Sequence, residues 1–152
     1  MKRLTLLLAG LLIAGNLSTA LADGHAEALV KYRQTVMKAV GAHTGAIAAV
    51  AKGQVEFGDH VKHHAASLAE MGAITAALFP EGTGPDDYAE TRALNEIWSK
   101  PDEFQAAVAA FRDQSAKLAE VAQGGDMKAT MAEFQNLGKT CGGCHKPFRV
   151  KK

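Results

Sequence analysis

Cysteine is almost absent from this 152-residue chain: Cys141 and Cys144 are the only two. No further cysteine exists to complete a zinc site, which needs a fourth ligand and usually a second ligand pair. Period-two alternation of apolar and polar residues is missing, so nothing reads as a β-strand. A surplus of charge of one sign is missing too, with 17 Lys and Arg against 16 Asp and Glu. A nucleic-acid binder needs excess phosphate-neutralising charge, so that class is excluded. No glycine-rich phosphate loop and no nucleophile paired with a base occur, and the chain is not read as an enzyme. There is no internal repeat or low-complexity tract, and the length suits one small domain.

What is present is concentrated near the C-terminus, in Cys141-Gly142-Gly143-Cys144-His145. Cys-x-x-Cys-His is the spacing for covalent haem attachment. On a helix, cysteines three apart share a face, each within reach of one porphyrin vinyl group, and the next histidine can offer a nitrogen to the iron. A thioredoxin-like site would need a strand leading into a helix, and none precedes Cys141. A disulfide across the two glycines would close a very small, strained loop.

The N-terminus points the same way. Lys2 and Arg3 precede an apolar run, Leu4 to Leu17, too short for a membrane anchor. Ala20-Leu21-Ala22 is a small-x-small cleavage site, which predicts a signal peptide at 1–22 and a mature domain at 23–152 beginning at Asp23. Cleavage removes Lys2 and Arg3, so the 17 basic residues become 15 against 16 acidic, and no membrane anchor remains. Export to a bacterial periplasm suits cysteines that must meet haem outside the cytoplasm.

The rest of the chain reads as helix. Leu29, Tyr32, Val36, Val40, His43, Ile47 and Val50 recur in steps of three and four, and Gly53 ends that segment. A second stripe runs Phe57, Val61, His64, Leu68, Met71, Thr75, Leu78. Phe79 to Asp87, with two prolines and two glycines, is a loop. Tyr88 to Trp98 reads as an irregular helical turn inside a long crossover. Ser99-x-x-Asp102 with Pro101 resembles a helix start, followed by Phe104, Val108, Phe111, Ser115 and Leu118. Gly124-Gly125-Asp126 stops that helix, and Asp126 is the expected N-cap of the next. The last stripe is Met127, Met131, Phe134, Leu137, Cys141, Cys144, Phe148. The expected fold is all-α, an antiparallel four-helix bundle with its cofactor between facing helices.

A bundle with its haem motif at the extreme C-terminus resembles the class II c-type cytochromes, the cytochrome c′ family and its low-spin relatives. The resemblance covers the whole mature chain. It rests on Lys31-Tyr32-Arg33-Gln34-Thr35-Val36-Met37, on Glu96-Ile97-Trp98-Ser99, and on Cys141 through Arg149. It implies one covalent haem c per chain, thioethers at Cys141 and Cys144, and His145 as axial ligand. It places Arg33 and Gln34 near the haem edge and propionates, where a guanidinium matches a carboxylate by charge and forked geometry. Trp98 is expected near the haem, and Arg149 beside its proximal face, one turn beyond His145. Pro147 departs from this pattern, because it lacks an N–H and clashes with the preceding turn. The helix is therefore expected to bend or end just after His145.

The resemblance sets Met37 over the distal side of the iron, where two roles stand open. As a sixth ligand it would give a low-spin His/Met iron suited to single-electron transfer between periplasmic donors and acceptors, the reading placed first. As a non-bonding lid it would leave a five-coordinate iron that binds NO or CO. A third expectation is remote: His60, His63 and His64, with Glu56 one turn earlier, could bind zinc or copper on one helix face. The resemblance also brings in a homodimer through the first two helices.

Overall fold

The computed structural model describes the backbone of residues 13–151 and the side chains of residues 24–151. The expected signal-peptide features, Lys2 and Arg3, the run Leu4–Leu17 and the Ala20-Leu21-Ala22 site, lie outside the described side chains. Five helices follow in order: α1 (Ile13–Ala51), α2 (Val61–Ile74), α3 (Glu96–Ser99), α4 (Pro101–Gln123) and α5 (Met127–Phe148). Short 3-10 turns at Gly58–His60 and Thr75–Leu78 flank α2. No strand occurs among the described residues, where one antiparallel bridge joins Ala93 to Arg149.

Two apolar clusters fix the directions of the long helices. Ile47, Val61, Ala65, Phe111, Leu118, Ala122 and Leu137 pack together at one end. Ala93, Ile97, Phe104, Val108 and Phe148 pack at the other. From one end to the other, α1, α2, α4 and α5 alternate in direction, and the one-turn α3 rides on the crossover. This is the expected antiparallel four-helix bundle, formed because each helix carries one apolar face and only its neighbours can cover it.

The helix boundaries follow local chemistry, with three departures from the periodicity. Gly53 breaks α1 with a φ of 65°, a left-handed conformation that favours glycine. Asp126 caps α5 as expected, its carboxylate accepting the Ala129 N–H at 3.0 Å. Pro101 takes the first position of α4, but the expected Ser99 cap is not used: Ser99 belongs to α3 and Lys100 is the N-cap, with no side-chain bond. Phe57 and Tyr32, placed on core stripes by spacing, are 57% and 58% exposed. Phe57 precedes the 3-10 turn that leads into α2. Met127, at the first position of α5, is also exposed.

Candidate haem site

At the second cluster the helices do not close on one another. They leave a cavity of about 370 Å³, within the usual ~300–1,000 Å³ of cofactor pockets. Arg33, Gln34 and Met37 enter it from α1, Cys144 and His145 from α5, and Arg149 from just beyond α5. These residues, 107 or more positions apart in the chain, meet because the middle of α1 lies at the same end as the last turns of α5. Phe79, Ile97, Phe104 and Phe148 supply the apolar wall. Phe104 holds two edge-to-face contacts, to Phe79 at 4.8 Å and to Phe148 at 5.3 Å between centroids.

Two expected site residues stand outside the lining. Cys141 is half-buried one turn before Cys144, and its thiol donates to the Leu137 carbonyl at 3.6 Å. Trp98 packs against the aromatic cluster and against Gly84, and its indole N–H is buried without a partner. Periodicity missed Lys38, Thr91, Arg92 and Ala93, which also line the cavity. The last three lie in the crossover, whose position is set by contacts distant in sequence.

Arg33 is the structural hub of this end. It is only 4% exposed. Its guanidinium donates to the Leu78 carbonyl (3.3 Å), the Thr83 hydroxyl and carbonyl (3.0 Å each) and the Thr91 hydroxyl (2.7 Å). It also stands 4.8 Å over the Phe79 ring. So one side chain of α1 pins both halves of the crossover. None of these partners is a carboxylate, and burial pushes its pKa down to about 10. It remains a cation at neutral pH, buried and without a counter-charge, a costly arrangement unless an anion arrives.

Pro147 acts as its chemistry requires. α5 ends at Phe148, one residue after it, and Arg149 is extended (φ −135°, ψ 137°) rather than a helical turn beyond His145. The freed segment pairs with the crossover: the Leu94 N–H donates to the Phe148 carbonyl (3.1 Å) and the Val150 N–H to the Arg92 carbonyl (2.9 Å). Arg149 thus still reaches the cavity, by a different route.

Titration favours a ligand-binding state. Burial, then Arg149 and Arg92, hold the His145 pKa below its usual value, so the imidazole is kept neutral, as a metal ligand must be. Burial raises the pKa of both thiols, and Cys141 raises that of Cys144 further. No acid lines the cavity, whereas Arg33, Lys38, Arg92 and Arg149 do. An apolar slot with cations and no acid on its wall fits a flat, apolar group bearing carboxylates. That describes a haem.

The family model described as Cytochrome C′ matches residues 28–149. The chain belongs to the cytochrome c′ family. It is similar to the cytochrome c′ of Pararhodospirillum photometricum, 39% identical over 123 residues, covering 81% of this chain and 97% of that one. It is 33% identical over 150 residues to the cytochrome c′ of Rhodospirillum rubrum, covering 99% of each chain. Among solved structures, a ferrous variant of cytochrome c prime from Alcaligenes xylosoxidans with bound NO superposes with a TM-score of 0.75 at 32% identity, over 84% of this chain and 97% of that. Covalent haem c is the cofactor of this family, and the two cysteines of this chain stand in its attachment motif.

Proposed function

We propose that this chain is an exported haem c protein that takes a small neutral gas, NO or CO, at its iron, with Met37 as a non-bonding lid. Cys141 and Cys144 form the thioethers and His145 is the axial ligand. The reading rests on one observation above others: Met37 and His145 line the same cavity, from opposite chain ends. When bound, haem supplies an iron that exchanges one electron and holds a diatomic ligand.

The chain's own residues set the conditions. His145 is held neutral by burial and by the neighbouring guanidinium groups, so it needs no proton loss to ligate. Arg33 supplies a fixed positive charge for a propionate. The phenylalanine wall makes the cavity apolar, which would favour a neutral ligand over a charged one. Met37 is unbranched and flexible, and can fill the distal space or yield it. The NO-bound relative supports this order of readings over the one in which Met37 ligates the iron. Export to the periplasm, with cleavage after Ala22, belongs to the same proposal. So does a homodimer through α1, where Gly41, Ala42 and Gly45 leave an exposed, shallow strip.

A second reading, single-electron transfer to a periplasmic partner, draws on the charge of the cavity mouth. Lys38, Arg92 and Arg149 lie there with no acid among the lining residues, which would steer an acidic partner to the haem edge. The two readings are compatible in one molecule. Visible absorption of the exported protein, oxidised, reduced, and reduced under CO, separates them. A high-spin spectrum that shifts under CO is expected. A low-spin spectrum with a methionine-to-iron charge-transfer band, unmoved by CO, would overturn the lid role and make Met37 the sixth ligand.

A further inference from the structure

The expected metal cluster on α2 does not form: among the described residues no three His, Cys, Asp or Glu side chains gather as a metal site. His60 instead stacks on the exposed Phe57 ring, 5.0 Å between centroids and 6° from parallel. His63 is exposed on the far side. His64 turns inward and meets a residue of another helix. Its Nδ1 lies 3.0 Å from the Nδ1 of His43 on α1, both rings half-buried. Neither ring lines the haem cavity.

This contact is unusual in its chemistry. Both histidines occupy core-facing steps of their helices, between Val40 and Ile47 on α1 and between Val61 and Leu68 on α2, where apolar residues would pack. Their centroids are 5.3 Å apart and the rings are tilted by 52°. One ring must donate its Nδ1–H to the bare Nδ1 of the other, so two nitrogen lone pairs are aimed at one shared proton. A metal ion can replace that proton. With metal–nitrogen bonds of about 2.0–2.1 Å, two ligands on one ion lie roughly 2.9 Å apart at a right angle and roughly 3.4 Å apart in a tetrahedron. The observed 3.0 Å falls within that interval.

We propose that His43 and His64 form a divalent-metal site bridging α1 and α2, separate from the haem and completed by water. Paired imidazoles select borderline cations such as Zn2+, Cu2+ and Ni2+ over Ca2+ and Mg2+. Both ligands sit on helices already in contact, so little ordering accompanies binding. Burial, and then the charges of His43, His60 and His63, lower the His64 pKa and keep it available as a neutral ligand.

Calorimetric titration of Zn2+ into the exported, haem-loaded protein tests this. Zn2+ is preferable to Cu2+, because a chain cut after Ala22 begins Asp23-Gly24-His25. A free amine two residues before a histidine chelates square-planar Cu2+ on its own. One Zn2+ per chain is expected, with a rise in Tm and no change in the haem spectrum. His43→Gln and His64→Gln, which keep an amide in place of the ring and preserve the packing, should each weaken binding at least tenfold. His60→Ala and His63→Ala should bind as the parent does. Zn2+ binding that survives His43→Gln, that is lost instead in His60→Ala or His63→Ala, or that is absent from the parent protein would overturn the site. The haem spectrum of each variant confirms that it has folded.

Discussion

The two ends of the bundle are built on opposite terms. At the end holding Ile47, Leu68, Leu118 and Leu137, aliphatic side chains from all four long helices fill the space between them. At the other end, Phe104 and Phe148 meet edge-to-face, Arg33 is a buried cation facing only neutral oxygens, and the Trp98 N–H has no partner. The first end is complete as the polypeptide stands. The second leaves a cavity between its helices, lined by cations and by no acid. Local rules of packing and polar satisfaction are met at the aliphatic end and relaxed where the molecule takes its cofactor.

Paired truncations test that division and carry the largest expected effects. Leu118→Ala leaves a cavity in a filled core and should cost about 2–5 kcal/mol. Phe104→Ala removes a ring that lines the haem cavity and should cost a comparable ~3–5 kcal/mol. The readouts should separate: thermal unfolding of the haem-loaded protein falls in both, but only Phe104→Ala alters CO binding to the reduced form. If Leu118→Ala changed CO affinity as much, the two ends would be one coupled unit and the division would fail.

How much of this was legible beforehand differs between the same two ends. The aliphatic end follows from period alone, because Ile47, Val61, Leu68, Leu118 and Leu137 all lie on the stripes read from spacing. The cofactor was legible because Cys141, Cys144 and His145 are adjacent in sequence. The cavity wall was less so. Thr91, Arg92 and Ala93 enter it through a crossover held by Arg33 and by the bridge to Arg149, contacts 58 and 56 residues apart that no local pattern carries. Spacing also misplaced Phe57 and Tyr32, since periodicity gives the face of a helix and not whether a neighbour covers it.

A smaller effect is expected at the seam between the ends, where α2 crosses α4. Gly72 is buried, and a Cβ there would clash with the Ser115 hydroxyl and stand 3.2 Å from the Arg112 Cα. The hydroxyl is confined, because it already donates to the Arg112 carbonyl at 2.9 Å. Alanine would ordinarily favour a helix over glycine, by roughly 1 kcal/mol. Here overpacking, at about 1–3 kcal/mol, opposes and should outweigh that gain, so Gly72→Ala lowers the Tm. Gly72→Ala with Ser115→Ala should recover part of the loss. A single Gly72→Ala variant more stable than the parent would mean the helices move apart freely, and that their close crossing does not brace the cavity.

The smallest effect concerns the histidine pair set into the aliphatic end. His64 has its pKa lowered, first by burial and then by His43, His60 and His63. In the unfolded chain an imidazole titrates near pH ~6.5. As pH falls through that value the unfolded state takes a proton that the folded His64 resists, so stability declines on the acid side and is unaffected above it. Melting curves between pH 7.5 and 5, with a chelator present to keep metal out, should therefore slope downward toward acid. His64→Gln cannot take that proton, and its curve should be flatter. His145 shifts in the same direction through burial and the two arginines, so the difference between parent and variant, rather than either slope, isolates His64. Identical slopes would show that the α1–α2 pair accepts a proton without loss, as a shared N–H···N bond with one added charge can. The aliphatic end would then tolerate its polar pair at every pH the protein meets.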